Sequence, residues 1–371
     1  MKKLILLFIM IILLVTLVGC KKEKNNTEAP SPTIQPSVTL PPEVTPEEEE
    51  PEGSEDEEKI LTLEDYYPLE ADTEYVYEGE GNEYAAYRRF IDYIDPLNKK
   101  LQTRTNNGGT ETVRVIQIKD GALSVNYLVS ESYGRVNYMM EEATEDAEVL
   151  LMEPLTKGTT WLLKDGRKRY ISAEKVPIIT PYGSFDTLEV TTEGEGSISK
   201  DYYAVGVGLV KSLFLSEGLE ISSTLSMVNK NAVLTQPIML YYPDADERIY
   251  TDWFEGKMKT GTEAIAVLEE ALKTKPVKDT YLPLISENTR INSLSVEEDI
   301  LHVDFSPEFV TDMNAGAGYE LLILQSVTNT LGRYFGVSKV LITLEGEPYE
   351  SGHVLMNKGE VIEVSMEKVV E

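Results

Sequence analysis

Residues 319–346, YELLILQSVTNTLGRYFGVSKVLITLEG, decide the C-terminal part of the fold. One face of the first half carries residues at helical spacing: Leu321, Leu324, Thr328, Leu331 and Phe335. Gly336 follows them and suits the left-handed residue that often ends a helix. The alternating run 337–346 then predicts a strand, so the segment indicates a helix followed directly by a strand.

Three segments before it complete an α+β pattern. Thr260 and Glu263 have the spacing of a capping box, which predicts a helix with Thr260 as its N-cap. Residues 291–296 and 300–306 alternate on either side of an acidic turn, which predicts a β-hairpin. With a strand at 238–244, the predicted order is β-α-β-β-α-β, with two helices on one face of a sheet.

This ordered series of segments resembles the GerMN domain, a sporulation and spore germination module. The resemblance covers about residues 234–366, within a predicted domain at 234–371. It is carried by "LYYPDADE", the hairpin ending "VDFS", the helix "LQSVTNTL" and the strand "GVSKVLITLEG". A single such domain is present, whereas the sporulation lipoprotein of this family is expected to have two in tandem.

The resemblance implies a protein–protein assembly module of the cell envelope, similar to ring-building modules of secretion assemblies, with no catalytic centre and no cofactor. The expected partner is an envelope protein or a second copy of the chain. Polar residues interrupt the apolar second helix and give a candidate interaction surface: Tyr319, Gln325, Asn329, Arg333 and Tyr334. A solvated helix face explains the same residues equally well.

Residues 61–233 predict a mostly antiparallel β domain, either a sandwich or an open barrel. Apolar residues alternate in short runs at 112–118, 122–129, 159–163, 168–176, 185–193, 201–215 and 220–228, separated by glycine-rich turns. Residues 83–94 fit either a helix or a strand. Gly206 and Gly208 are no dinucleotide-binding loop, because the third glycine is missing and the context is a strand.

Seven tyrosines lie between residues 66 and 93 of this β domain: Tyr66, Tyr67, Tyr75, Tyr77, Tyr84, Tyr87 and Tyr93. Such residues usually cover a sheet face with the hydroxyl in water. They also suit a groove for a lipid or a cell-wall fragment. Ligand binding by the β domain is therefore the alternative function, and a large apolar pocket there would favour it.

Residues 1–20 have the layout of an export signal. Lys2 and Lys3 precede an apolar run at 4–18, which is shorter than the about 20 residues that cross a bilayer. The next residues resemble a bacterial lipobox: Leu17, Val18, Gly19 and Cys20. The resemblance implies that the signal peptide 1–19 is removed. Cys20, the only cysteine, would then carry diacylglyceryl and acyl chains such as palmitate and anchor the protein to the outer face of the cell membrane. The alternative is an uncleaved N-terminal anchor.

Residues 20–60 predict a disordered Pro- and Glu-rich tether that holds the folded part away from the membrane. The whole chain has a formal net charge of −30. The acidic excess extends beyond the tether, since residues 235–371 hold 11 Lys and Arg against 24 Asp and Glu. Nucleic-acid binding depends on Lys and Arg contacts to phosphates, so this composition argues against nucleic acid as a partner.

The sequence carries little that indicates chemistry. A metal site would need His302 and Asp304, on one face of the predicted hairpin, to meet His353, but such neighbours are usually incidental. No segment resembles a nucleophile elbow. The sequence therefore predicts neither a metal site nor catalytic residues.

Overall fold

The computed structural model describes residues 59–144 and 147–370, and Lys59–Glu371 form one compact unit. The predicted signal peptide, Cys20 and nearly all of the predicted tether lie outside the described residues. After a short helix, α1 (Leu63–Tyr66), the first part of the unit consists almost entirely of strands.

Strands between residues 73 and 230 form one 12-stranded antiparallel sheet, the large sheet. The strands are β1 (Thr73–Glu80), β2 (Tyr87–Asp95), β3 (Lys100–Asn106), β4 (Glu111–Lys119), β5 (Ala122–Ser130), β6 (Glu148–Met152), β7 (Thr160–Leu162), β8 (Lys168–Ile179), β9 (Ser184–Gly194), β10 (Ser197–Ala204), β11 (Gly208–Ser216) and β12 (Leu219–Lys230). Their spatial order is β6-β5-β4-β3-β2-β1-β12-β11-β10-β9-β8-β7.

The large sheet curves into a nearly closed, barrel-like shape. Its two edge strands, β6 and β7, are consecutive in sequence, and the Trp161 indole N–H donates to the carbonyl of Val149 across them at 3.1 Å. Arg169 Nη1 donates to the same carbonyl at 2.7 Å. One buried apolar cluster fills the interior with residues from strands all around the sheet, including Leu101, Ile171 and Leu225. The predicted antiparallel β architecture is confirmed, and it is barrel-like rather than a sandwich.

One detail of the β region differs from the sequence prediction, and a second decides between two alternatives that the sequence left open. The run 201–215 is two strands, because Gly206 and Gly208 have φ angles of 74° and 97° and turn the chain between β10 and β11. Residues 83–94, which fitted a helix or a strand, include β2 and no helix. Pairing with β1 and β3 decides the second case, since it supplies neighbours that local spacing cannot reveal.

The remaining elements follow residue 233. They are β13 (Leu234–Pro243), β14 (Ile249–Met258), α2 (Ala264–Lys273), β15 (Ile291–Glu297), β16 (Ile300–Phe305), α3 (Glu308–Thr311), α4 (Ala317–Phe335), β17 (Lys339–Leu344), β18 (Glu347–Pro348), β19 (Ile362–Glu363) and β20 (Val369–Val370). Strands β13, β14 and β20 form one small sheet, and β15 to β18 form another, with β19 paired to β17.

The predicted order β-α-β-β-α-β is therefore incomplete. It lacks β14, which pairs with β13 along its whole length, and it places in one sheet strands that form two. A single apolar cluster joins both sheets to α2 and α4, with Leu240, Leu268, Val303 and Leu331 almost fully buried. The predicted hairpin is confirmed as β15 and β16.

The predicted N-cap at Thr260 is wrong, because α2 starts later, after Glu263. The Thr260 hydroxyl instead donates to the carbonyl of Ile91 on β2 at 2.7 Å. Its backbone N–H donates to the Asp72 carboxylate at 2.9 Å. Thr260 therefore fastens the C-terminal elements to the large sheet.

A buried ionic cluster lies at the same junction. Asp92 on β2 accepts a hydrogen bond from Arg135 Nη1 at 2.7 Å and lies 3.3 Å from Arg104 Nε. All three side chains are at most 2% exposed. Arg135 Nη2 also donates to the carbonyl of Lys259 at 2.9 Å, so one guanidinium connects the large sheet to the segment before α2.

Candidate functional site

Helix α4 carries the five residues of the predicted interaction surface. Its N-cap is Gly316, and its C-terminal Gly336 has a φ of 71°, the left-handed conformation that the sequence predicted. Leu324, Val327 and Leu331 are buried against the two small sheets. The helix is covered on more sides than an amphipathic surface helix, because the C-terminal segment 361–368 runs beside it.

The predicted surface residues do not lie together. The Tyr319 hydroxyl donates to the carbonyl of Ala245 at 3.0 Å, and Gln325 Nε2 donates to the carbonyl of Glu363 at 2.9 Å. Both side chains are half-buried. Gln325 borders an open groove, whereas Tyr319 borders a different, apolar pocket beside Leu284.

Asn329 is fully buried, which corrects its assignment to a docking surface. Its Nδ2 donates to the carbonyl of Ser365 at 2.7 Å, and its Oδ1 accepts from the N–H of Ser365 at 2.9 Å. The amide thus pairs with the backbone of the C-terminal segment as another strand would. A partner has no access to Asn329 while this segment stays in place.

Arg333 and Tyr334 lie at the other end of α4, beside the large sheet. The Tyr334 hydroxyl accepts from the N–H of Arg135 at 3.1 Å and donates to Gln236 Oε1 at 3.2 Å. Burial raises the pKa of Tyr334 to about 12, so the hydroxyl keeps its proton at neutral pH. Arg333 is exposed, and both residues border a cleft of about 380 Å³ that also contains the 61% exposed Trp253.

A groove of the C-terminal elements lies between the first half of α4 and residues 354–368, and we call it the helix groove. Its volume is about 610 Å³. Leu321 and Leu355 flank it and are 57% and 73% exposed. Four carboxylates border these apolar side chains: Glu247, Glu360, Glu363 and Glu367.

A single cation, Lys368, is among the residues that line the helix groove, and its Nζ lies 3.7 Å from the Glu247 carboxylate. The rim therefore keeps an excess of negative charge around an apolar centre. An apolar patch with one sign of charge around it is a surface that selects partners by both shape and charge.

Sequence reasoning missed Leu321 and Leu355. Helical spacing put Leu321 on the buried face, but that side of the first turns of α4 opens onto the groove. Leu355 lies in an irregular stretch with no periodic pattern. Nothing in the local sequence of either residue distinguishes an exposed leucine from a core leucine.

The histidines have no common site. His302 Nε2 lies 3.8 Å from the Glu297 carboxylate, and Asp304 instead accepts from Thr343 at 2.6 Å and from the N–H of Gly346 at 2.7 Å. Across residues 59–144 and 147–370, no three His, Cys, Asp or Glu side chains are placed to hold one metal ion. In the same ranges, no helix has both the length and the apolarity needed to cross a membrane.

The tyrosines of the large sheet are mostly core residues. Tyr66, Tyr67, Tyr75, Tyr77 and Tyr93 are at most 8% exposed, whereas Tyr84 is 52% exposed. Burial raises the pKa values of Tyr75 and Tyr77 to about 12. A cavity of about 360 Å³ in this sheet is lined mostly by polar side chains, unlike the large apolar pocket that would favour a lipid ligand.

Comparison with known families identifies the C-terminal elements. Residues 239–350 match the family model Germane, described as sporulation and spore germination. The chain contains a GerMN domain. The match runs from within β13 to β18 and includes α2, α3 and α4, so the large sheet lies outside it.

Solved structures give weaker likenesses. The first GerMN domain of the sporulation protein GerM from Bacillus subtilis is 22% identical over 33% of this chain and 95% of that chain, with a TM-score of 0.27. The tandem GerMN domains of the same protein are 20% identical, with a TM-score of 0.26, and the match spans only 45% of that chain against 33% of this one.

A protein from Bacteroides fragilis described as exported, with a YmcC-like fold, is 14% identical over 44% of this chain and 99% of that chain, with a TM-score of 0.27. No curated protein matches the chain. Since all three TM-scores are low, the assignment of the GerMN domain depends on the family match.

Proposed function

We propose that this protein is a lipoprotein held on the outer face of the cell membrane by Cys20, and that its GerMN domain docks an envelope protein during sporulation or spore germination. The family match at 239–350 supports the association with sporulation and germination. The lipobox at 17–20 supports the anchor. The proposal includes no catalytic role, because the matched family is a sporulation module and not an enzyme family.

The proposed arrangement along the chain is a signal peptide at 1–19, a tether at 20–60, a β domain at 61–233 and the GerMN domain at 234–371. The large sheet ends at Lys230 and the first strand of the GerMN elements starts at Leu234, which agrees with a boundary near 233. An extended tether of about 40 residues spans on the order of 100 Å, enough for the GerMN domain to reach a partner away from the bilayer.

The helix groove is the proposed docking site. Exposed Leu321 and Leu355 are the observation that carries this choice, because large apolar side chains beside a groove lose unfavourable contact with water when a partner covers them. The acidic rim makes the expected occupant a protein segment with apolar side chains flanked by Lys or Arg.

A second copy of the chain fits the groove less well than a basic partner. Residues 235–371 alone carry 24 Asp and Glu against 11 Lys and Arg, so two copies repel each other at low ionic strength. A basic partner is instead attracted by this negative charge. Salt should therefore weaken the proposed complex.

Replacing Cys20 tests the anchor. We expect Cys20→Ser to lose the lipid and to keep its signal peptide, because the lipobox cysteine is needed for both steps. Metabolic labelling with an alkyne fatty acid should mark the natural chain and not the variant, and mass spectrometry should find residues 1–19 only in the variant. Ser31→Ala in the tether is the control and should be labelled and shortened like the natural chain. A natural chain that is unlabelled and retains residues 1–19 would show an uncleaved anchor instead.

A photo-crosslinking residue at position 355 tests the docking site. In sporulating cells, we expect one cross-linked envelope protein, identified by mass spectrometry. The double variant Glu363→Lys and Glu367→Lys should reduce that product about fivefold or more by removing the acidic rim.

Two other crosslinker positions make this test specific. Leu97 is 94% exposed on the turn between β2 and β3, far from the groove in sequence, and should give no such product. Position 253 reports on the cleft beside Arg333. The groove is the wrong site if the product forms only from position 253, if positions 97 and 355 give the same product, or if the product is a second copy of this chain.

A further inference from the structure

A cavity of about 360 Å³ lies in the barrel-like large sheet, outside the GerMN domain. Strands β2, β3, β4, β10 and β11 contribute its walls, and the side chains that line it often alternate along a strand, as in Thr103 and Thr105, Thr112 and Arg114, or Asp201 and Tyr203. Alternation with period two is expected for the inner face of a curved sheet. The volume falls within the range of small-molecule pockets.

Arg89 is the residue of this cavity that most needs a partner. It is 9% exposed, and its guanidinium lies over the ring of Tyr75, with 4.6 Å between Cζ and the ring centroid. Its Nη2 donates to the Tyr77 hydroxyl at 3.1 Å, whereas its Nε has no hydrogen-bond partner. Among the described residues, no carboxylate oxygen lies within 4.0 Å of it. The rings of Tyr67, Tyr75 and Tyr77 offset part of the cost of burying this charge, but no described residue supplies a counter-charge, which an anionic ligand would provide.

The other polar groups of the cavity suit hydroxyls. Thr103 and Thr105 have buried hydroxyl oxygens without a hydrogen-bond partner. Asp201 accepts from the Ser212 hydroxyl at 2.6 Å, and burial raises the pKa of its carboxyl. These groups provide both donors and acceptors in a small volume.

The remaining charges leave the cavity open to an anion. Arg114 is half-buried on the wall, and no carboxylate of the described residues lies within 4.0 Å of its guanidinium. The Glu148 carboxylate, which also borders the cavity, lies 3.4 Å from Arg169 Nη2 and is partly neutralised by it. Half-exposed Tyr84 also lines the cavity and offers an aromatic face.

We propose that this cavity binds an acidic sugar, a saccharide that carries a carboxylate. Arg89 pairs with the carboxylate, the hydroxyls of Thr103 and Thr105 bind the hydroxyls of the ligand, and Tyr84 covers the apolar face of its ring. An acyl chain is excluded as the ligand, because a wall with two guanidinium groups, a carboxyl and several hydroxyls offers it little apolar contact. The proposal is independent of the docking function of the GerMN domain.

Binding of D-glucuronate to the full chain in detergent, measured by saturation-transfer NMR and calorimetry, tests this assignment. We expect a dissociation constant for glucuronate below about 10 mM. D-glucose and inorganic phosphate should each bind at least about tenfold more weakly. The assignment is wrong if glucuronate does not bind, if glucose binds equally well, or if phosphate alone binds as tightly.

Matched variants locate the site. Arg89→Gln should weaken glucuronate binding about tenfold or more, and Arg114→Gln should weaken it too. Arg88→Gln is the control on the same strand, because Arg88 points outward and lies 3.3 Å from Glu74. If Arg89→Gln does not fold, the glucuronate affinities of Arg114→Gln and Thr105→Val test the site instead. Unchanged affinity in both of these folded variants would refute the assignment, as would an equal loss in Arg88→Gln.

Discussion

The Asp304 carboxylate is a candidate metal ligand in the sequence, but in the structure it holds two strands together. Beside His302, it raises the idea of a metal site. In the structure it joins β16 to β17 and to the turn that follows, accepting from Thr343, Asn292 and the N–H of Gly346. Burial alone would raise the pKa of Asp304, but these hydrogen bonds outweigh it and lower the pKa below its usual 3.8.

The lowered pKa of Asp304 predicts a pH-dependent stability. A carboxyl with a lower pKa in the folded state stabilises the fold above its unfolded pKa and loses this effect as the pH falls through the folded value. We expect Asp304→Asn to lower the free energy of unfolding by about 1–3 kcal/mol at pH 7. Urea titrations should show this loss shrinking below about pH 4.

A second carboxylate provides the control for Asp304. Asp186→Asn changes an exposed residue of β9 and should alter stability little at either pH. A loss in Asp304→Asn that is the same at pH 7 and pH 3 would contradict the proposed role of the ionised form.

At the same scale, the sequence identified residues of α4 without revealing what covers them. Hydrophobicity predicts that Leu321 is buried and Asn329 is exposed. In the structure the leucine is 57% exposed and the asparagine is fully buried. The reason is tertiary: residues 361–368 cover the side of the helix that carries Asn329, and Ser365 satisfies both ends of its amide. A periodic pattern predicts which residues form a helix, but it does not predict which other elements pack against that helix.

At the scale of elements, strands and helices were predicted best where a repeat was long or a turn was marked by glycine. The hairpin at 291–305, the helix before Gly336 and most strands of the large sheet follow from alternation or helical spacing. Strand β14 was missed because charged and aromatic residues mix along "IYTDWFEGKM". The prediction of an N-cap at Thr260 was wrong because its backbone N–H and its hydroxyl are bound by Asp72 and Ile91, which are distant in sequence.

The fit between α4 and the C-terminal segment predicts opposite effects for two glycines of the helix. A Cβ at Gly332 would lie 2.4 Å from Val364 Cγ2, so in Gly332→Ala the Val364 side chain or the segment that carries it must shift. We expect a loss of about 1–3 kcal/mol in the free energy of unfolding, despite the better helix propensity of alanine. Urea denaturation measures it.

Gly318, in the first turn of α4, is the matched control for Gly332. A Cβ there meets no atom within 4 Å, so Gly318→Ala should keep or raise stability, by at most about 1 kcal/mol. Equal effects at the two positions would mean that the C-terminal segment does not pack on α4 as the structure has it.

At the scale of the whole molecule, two apolar cores share one junction. One core fills the large sheet and the other joins the two small sheets to their helices. Between them lie the Asp92, Arg104 and Arg135 cluster and the hydrogen bonds of Tyr334. The sequence placed a boundary near residue 233 but gave no sign of this junction, because its members are far apart along the chain.

This junction predicts that the two cores unfold together. Trp161 lies in the large sheet and Trp253 in the GerMN domain, so Trp253→Phe leaves a fluorescence signal from the large sheet alone. In urea, that signal and the far-UV circular dichroism of the whole chain should change at the same concentration. Two separate transitions in Trp253→Phe would show that the junction does not couple the cores.

Removing Asp92 should break this coupling. Asp92→Ala leaves Arg135 buried without a counter-charge, whereas Arg104 keeps the Glu111 carboxylate at 2.7 Å. An uncompensated buried charge costs about 3–5 kcal/mol, here at the point where the cores meet. In the Trp253→Phe background, Asp92→Ala should lower the urea midpoint and separate the fluorescence transition from the circular dichroism transition. The control Asp186→Ala in the same background should leave the two transitions coincident. Coincident signals in the Asp92→Ala protein would mean that apolar contacts, and not this ionic cluster, hold the GerMN domain to the large sheet.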